Sequence, residues 1–436
     1  MTRKLNAYMD RTLVGTFARD GQTRINFQYA PEWIARIRAG KAHTISVSLP
    51  ASTVNDPMDA TPFVAGLLPD SARHRTLLAA ELDIEEDPSD FNFLAKMGRD
   101  SAGALTIIPD DESLEGKHKP GLTELNETEL AEHLRSLPRR PLLIDEDEGI
   151  MLSLAGVNDK TAVTVRKGVI NLPRGGFPST HIIKVDIPGL KDSIRTEQFC
   201  LELARQIGLR VPRSEIRQAE DQTYMIMARY DRAMRDGQLL RIHQEDFCQA
   251  LGVMPGKKYQ RKGGPGWADC FDLVAVRSTS AEDRRTLLRE AIFQYLSGNP
   301  DAHAKNYSLV YRGPANGIRL SPLYDVNNAA AFRHHFKKAR PIMAMSIGTQ
   351  SNPDAVTEDD FRDFARDCGF PARIVLEEVR AVAGELLDAL PVARSLQDPC
   401  EAIDLGYADI QQRCRGWWDV APTMEPDPEW DTGPTP

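Results

Sequence analysis

The chain has 436 residues, room for two to four domains at roughly 100–200 residues each. With 41% hydrophobic and 27% charged residues, 30 Gly and 29 Pro, it cannot be collagen-like, low-complexity or wholly disordered. A net charge of −9 argues against nucleic-acid binding by bulk charge alone, leaving a local basic patch or a partner as the routes to it.

In chain order, the N-terminus MTRKLNAYMD is charged and lacks the apolar core of a signal peptide. No stretch reaches the ~18 apolar residues of a membrane helix, so a cytoplasmic chain without membrane contact is expected. Residues 1–110 read as a mixed α/β unit. LNAYMDRTLVGTFAR and RINFQYA are predicted as short strands, and HTISVSLP (43–50) alternates apolar and polar residues as a half-buried strand does. Helices follow over 71–96, introduced by Pro69-Asp70 and Pro88-Ser89, and Thr106–Pro109 reads as a closing strand. Residues 111–150 read as a linker with acidic clusters around a short helix near 125–137.

Over 151–232 the pattern is loop, hairpin turning at Lys167-Gly168, strand ending at Lys184, amphipathic helix, and two strands (214–218 and 224–228) turning at Asp221-Gln222. Residues 233–420 read as mostly helical, with a strand at Ile318–Leu320, Gly298 closing the helix 285–298, and a capping box of Thr357 and Asp360. The segment 421–436 is Pro-rich and acidic and is expected to be disordered. The six cysteines form no C-x-x-C pair, which suits a reducing compartment and gives no zinc signature.

Four segments can carry chemistry. In Leu152–Lys160, the small residues Ala155 and Gly156 with Val157, Asn158, Asp159 and Lys160 can bring backbone N–H groups to a phosphate. Lys184, ending an apolar strand, can hold nucleotide phosphates. In Asp301-Ala302-His303-Ala304-Lys305-Asn306, Asp and Asn are five apart, the spacing of the protein-kinase catalytic loop. There one carboxylate must reach the attacking hydroxyl and one amide oxygen a Mg²⁺. His303 fits a loop histidine, a metal ligand or a phosphate contact. Asp325, in Pro322-Leu323-Tyr324-Asp325, ends a predicted strand and can supply a second Mg²⁺ ligand. Taken singly, each segment also fits a plain structural role. Taken in order, with Ala228-Arg229-Tyr230-Asp231-Arg232 as a hinge-like strand end, they follow the order of a kinase.

The sequence resembles the HipA-type serine/threonine kinases, the toxin halves of bacterial type II toxin–antitoxin pairs. The resemblance spans nearly the whole chain. It is carried by Tyr29–Trp33, Leu67–Asp70, Gly98–Ser101, Thr180–Lys184, Gln244–Asp246, Gly263–Gly266 and, most specifically, DAHAKNYS and PLYD. It implies an α+β fold: a two-lobed kinase-like core (β-rich N-lobe over 151–232, helical C-lobe over 233–420) with an N-terminal α/β subdomain.

Carried over residue by residue, the resemblance makes Asp301 the catalytic base and Asn306 and Asp325 the Mg²⁺ ligands. Lys184 becomes the phosphate lysine, with Glu197 as its partner by analogy with ordinary kinases. Ala155 to Lys160 become the nucleotide loop, Ala228 to Tyr230 the adenine hinge, and His303, Lys305 and Tyr324 neighbours of the nucleotide. Ser153 matches a serine that such kinases phosphorylate on themselves. The sequence departs at Ala302, where relatives carry Gly, at Val157-Asn158-Asp159, where they often carry Ala-Gln-Glu, and at Ala228, which offers no hinge carboxylate. ATP and Mg²⁺ are the implied cofactors. An aminoacyl-tRNA synthetase, the glutamyl enzyme first, is the implied substrate. A HipB-like helix-turn-helix antitoxin is the implied partner, bringing operator DNA through the complex, with Arg333–Arg340 the densest basic run. A co-repressor without turnover and a small-molecule kinase are the alternatives.

Overall fold

The protein is described from a computed structural model covering residues 4–21, 23–51, 56–115, 118–144, 159–333 and 342–419. The chain opens with an antiparallel meander of β1 (Lys4–Met9), β2 (Thr12–Asp20) and β3 (Arg24–Tyr29). Gly15 is obligatory there, because a Cβ would lie 2.3 Å from the Gln28 carbonyl oxygen and 2.5 Å from the Phe27 ring. Then come α1 (Pro31–Arg38), the two-residue β4 (Met58–Asp59), α2 (Thr61–Leu67), α3 (Ala72–Glu81), α4 (Asp90–Met97) and β5 (Leu105–Pro109). The sheet order is β4-β3-β2-β1-β5, so the closing strand returns beside the first.

Residues 43–50 are not a strand, despite their alternation. Their polar groups are spent elsewhere: Val47 N–H donates to Glu245 Oε1 (3.0 Å), Ser46 Oγ to Glu245 Oε2 (2.5 Å) and Ile45 N–H to the Tyr29 hydroxyl (2.9 Å). A backbone satisfied by side chains has no ladder to join.

The second sheet begins inside the expected linker. β6 (Gly121–Glu124) pairs with a later strand, and α5 (Glu127–Ser136) starts on a capping box of Asn126 and Glu129. The hairpin β7 (Lys160–Arg166) and β8 (Val169–Arg174) turns at Lys167-Gly168, both at positive φ. β9 (His181–Lys184), α6 (Ser193–Gln206), β10 (Ser214–Ala219) and β11 (Gln222–Ala228) complete it, the last turn falling on Glu220-Asp221, one residue earlier than expected. The order is β10-β11-β9-β7-β8-β6.

The remainder is helical with more strand than expected. β12 (Arg232–Arg235) and β13 (Gln238–Arg241) form a separate hairpin, and β14 (His243–Asp246) leads into α7 (Phe247–Ala250). After α8 (Trp267–Arg277) and α9 (Glu282–Leu296), β15 (Ser308–Tyr311) and β16 (Ile318–Leu320) join β14 in a three-stranded sheet. α10 (Glu358–Asp367), on the Thr357–Asp360 capping box, α11 (Ala372–Ser395) and α12 (Glu401–Trp418) close the described chain.

Two hydrophobic cores hold these layers. One runs without interruption from the first sheet (Leu5, Phe17, Ile107) into the second (Val163, Ile183, Ile226). The other joins α6 (Phe199, Leu203) to α9 and α11 (Ile292, Leu296, Val379, Leu386). All six cysteines are buried and free. Among the described residues, no helix is long and apolar enough to cross a membrane.

Candidate active site

A cleft opens where the second sheet meets the helical lobe. Its lining includes Lys160, Lys184, Ala228 to Asp231, Gln244, Asp246, Lys258, Asp301, His303, Lys305, Asn306, Tyr324 and Asp325, with Gly66, Asp70 and Ala102 reaching in from the N-terminal unit.

Lys184 ends β9, paired with Lys160 on one side and Met225 on the other. Its Nζ donates to Glu197 Oε1 (2.6 Å) on α6 and to Asp325 Oδ1 (3.1 Å). Glu197, inferred only by analogy, is thus a direct partner. Burial alone would lower the Lys184 ammonium, but Asp325 and Glu197 outweigh it and hold it above its ordinary range. Burial would likewise raise Asp325, but Lys184 and then Lys160 hold it well below the carboxylate range. Glu197 has the opposite balance: burial keeps it above its usual value against the pull of Lys184. Lys160 is brought down to about 8 by burial and by Lys184 beside it. Asp325 sits at φ 60°, in the left-handed region that Asp tolerates better than most residues.

Asp301 follows Gly298, whose φ of 69° ends α9, and Asn299, whose Oδ1 accepts from Asp301 N–H (3.1 Å). Its loop is tied to itself: Asn306 Nδ2 donates to the Asp301 carbonyl (3.0 Å) and His303 N–H to the same oxygen (2.8 Å). Ala302 does not have a positive φ, so the absent Gly leaves no strain. The Asp301 carboxylate is half-exposed at the cleft mouth, yet the desolvating walls hold it above its ordinary range against the hydrogen bond from the Tyr259 hydroxyl (2.8 Å). His303 Nε2 lies 3.8 Å from the other Asp301 oxygen. Burial, then Lys258, push this imidazole down to about 3, so it is neutral at physiological pH.

The oxygens suit a hard cation. Asn306 spends its Nδ2 on the loop, which turns Oδ1 the other way, and Asp325 keeps a second carboxylate oxygen beyond the one on Lys184. Mg²⁺ takes one or two such ligands and completes its shell with phosphates and water.

Other expected residues are placed differently. Arg229 lines the cleft, but its side chain is committed to neighbouring protein groups. Its guanidinium turns away to Asp231 (2.9 and 2.8 Å) and to Ser179 Oγ (2.8 Å). Asp159 is not at the cleft; its buried carboxylate meets His74 Nε2 (2.7 Å) and Arg73 (3.5 Å) on α3. Tyr324 stacks on Tyr230 with ring centroids 5.6 Å apart and shares a hydrogen bond with Ser308 Oγ (2.8 Å). Ser153, Ala155, Gly156, Val157 and Asn158 lie outside the described residues, as does Arg333–Arg340 except Arg333, which pairs with Asp409 (3.5 Å).

Sequence reasoning missed Asp70, Lys258, Tyr259 and Asp246, the last raised to about 7 by burial. One signal pointed to Tyr259. Gly264, in the Gly-Gly-Pro-Gly run, allows the loop to close, since a Cβ there would lie 1.7 Å from the Lys257 carbonyl oxygen.

Comparison with known proteins agrees with this architecture. Residues 5–108 match the model of the HipA N-terminal domain, and residues 152–390 that of the HipA-like C-terminal domain. A candidate kinase of Sinorhizobium fredii is 36% identical over 404 residues, 91% of this chain and 92% of its own. The serine/threonine-protein kinase toxin HipA of Shewanella oneidensis is 24% identical over 359 residues, 79% of this chain and 80% of its own. The solved Shewanella oneidensis HipA, in complex with HipB and its operator DNA, superposes with a TM-score of 0.79 at 22% identity, covering 96% of this chain and 100% of that one. The fold is therefore the α+β, two-lobed kinase-like one, and with both family domains matched in order the chain belongs to the HipA family.

Proposed function

We propose that the chain is an ATP- and Mg²⁺-dependent serine/threonine protein kinase acting as a toxin. The observation that carries this reading is the convergence on one cleft of the Lys184–Glu197 pair, Asp301, Asn306 and Asp325. Lys184 and Lys160 place positive charge where the phosphates of ATP would lie, and Ala228 to Tyr230 present backbone to the adenine. Asp301 accepts the proton of the target serine hydroxyl. That oxygen bonds to the γ-phosphorus as the bond from phosphorus to the β–γ bridging oxygen breaks, and ADP leaves. Asn306 and Asp325 would hold Mg²⁺, which when bound offsets the phosphate charge. A raised Asp301 carboxyl is the stronger base once ionised, as a proton acceptor working near neutral pH should be.

Ser153 is the proposed site of self-phosphorylation. A phosphoserine carries nearly two negative charges and would repel the nucleotide from the adjoining loop. The proposed substrate is an aminoacyl-tRNA synthetase, the glutamyl enzyme first. The proposed partner is a HipB-like antitoxin that brings operator DNA, in keeping with the complex solved for the Shewanella oneidensis protein.

Asp301→Asn tests the core of this reading. Loss of a general base costs about 10²–10⁴ in rate, so phosphotransfer should nearly vanish while ATP binding, followed by calorimetry, persists. A variant keeping more than about a tenth of the wild-type rate would remove Asp301 from the role.

A further inference from the structure

We propose that Asp70, on the N-terminal unit, is a positioning residue for phosphotransfer, holding the catalytic loop through Lys305 and the Tyr259 segment through Lys258. This rests on the kinase reading above and assigns a working part of the site to a unit outside the two lobes.

Asp70 lies in the link between α2 and α3, 235 residues from Lys305, and its side chain is only 9% exposed. One carboxylate oxygen meets Lys305 Nζ at 2.5 Å and the other meets Lys258 Nζ at 3.2 Å. Lys305 immediately precedes Asn306. Lys258 immediately precedes Tyr259, whose hydroxyl donates to Asp301 Oδ1. A single carboxylate therefore ties down both segments that set the direction of the base. Burial opposes its ionisation, but the two lysines prevail and keep it charged.

The mounting is rigid. α2 docks on α7 where Gln249 Nε2 donates to the Phe63 carbonyl (2.7 Å). Gly66 permits that approach, since a Cβ there would lie 2.4 Å from Gln249 Cγ. Gln249 also closes the capping box on Asp246, another cleft residue. Asp70 is thus fixed relative to the helical lobe without touching a reacting atom, and displacement of a catalytic group by about 1 Å can cost ~10²-fold in rate.

The test is a double-mutant cycle on full-length protein, reading kcat and KM for ATP in transfer of labelled phosphate to protein serine. Asp70→Asn should lower kcat about 10- to 100-fold with KM for ATP nearly unchanged. Asp70→Glu should recover part of the loss. In a Lys305→Met background Asp70→Asn should add less than about threefold, because the two residues act as one unit. Should Asp70→Asn fail to fold by thermal melting, Lys258→Met carries the test: a several-fold fall in kcat in a folded protein supports the proposal, and the wild-type rate overturns it. Asp70→Asn at the wild-type kcat, or losses at Asp70 and Lys305 that simply multiply, overturn it as well. A wild type with no phosphotransfer overturns the kinase reading and this proposal together, whereas an active wild type with an unaffected Asp70→Asn overturns this proposal alone.

Discussion

Lys184 bridges the buried Glu197 and the partly exposed Asp325, which respond to it differently: Asp325 is held ionised, while burial keeps Glu197 above its ordinary range. Replacing Lys184 by Met removes the counter-charge from both, and breaking a buried pair on one side costs about 3–5 kcal/mol. A carboxyl raised in the folded state stabilises below its unfolded value and loses that contribution as pH rises through the folded one. Without Lys184, Glu197 moves further up, so Lys184→Met should melt closest to wild type near pH 5 and fall progressively behind toward pH 8. A melting difference independent of pH would contradict this account of the pair. At this scale the cleft residues legible in the sequence were those marked within one segment: Asp301 and Asn306 five apart, and Lys184 at a strand end. Asp70 and Tyr259 were not legible, because their partners, Lys305 and Asp301, lie far away in sequence. Asp159, expected in the nucleotide loop, spends its carboxylate on His74, 85 residues away, a pairing no local spacing announces.

Among elements, those with strong local signals were readable: the β7–β8 hairpin at Lys167-Gly168, α6 ending before Gly208 at φ 81°, and α10 on its capping box. The four-residue strands β12 to β15 escaped notice because so short a run carries too little alternation to stand out among helices. Residues 43–50 show the converse, an alternating run without a strand, captured instead by Glu245. That carboxyl accepts from Ser46, Val47 and the Tyr311 hydroxyl, yet burial still raises it to about 7. Between about 4.5 and 7 the folded chain therefore binds a proton there that the unfolded chain has lost, and stability drains as pH rises through this window. Glu245→Gln should flatten that part of the melting-temperature profile between pH 5 and 7.5. An unchanged slope would show that Glu245 is already ionised at the bottom of the range.

Across the whole molecule, the N-terminal unit and the second sheet share one hydrophobic core, and α6 belongs to the helical lobe's core. Composition along the chain could not reveal this, since it records where secondary structure changes and not which faces meet. Charges cross the same boundary. Asp100, buried ahead of β5, meets Arg232 (2.8 Å), Arg241 (3.6 Å) and Arg229 (3.9 Å), while Asp231 pairs with Arg229 and Arg232. Asp100→Asn would leave three buried guanidiniums against one carboxylate. The expected loss is about 3–5 kcal/mol, with weaker ATP binding, because Arg229 and Asp231 line the cleft wall. By contrast, removing the exposed Arg11–Glu115 pair should leave the melting temperature nearly unchanged. Equal effects from both changes would deny the buried network its role in seating the cleft wall.

The most direct test of the central claim is mass spectrometry of the wild-type chain, freed of any phosphate acquired during expression and incubated with Mg²⁺–ATP. The account predicts ADP release and a serine-linked phosphate on the chain itself, at Ser153, absent from Asp301→Asn. An unphosphorylated chain with no ADP formed would contradict it and favour a protein that acts with its partner without turnover.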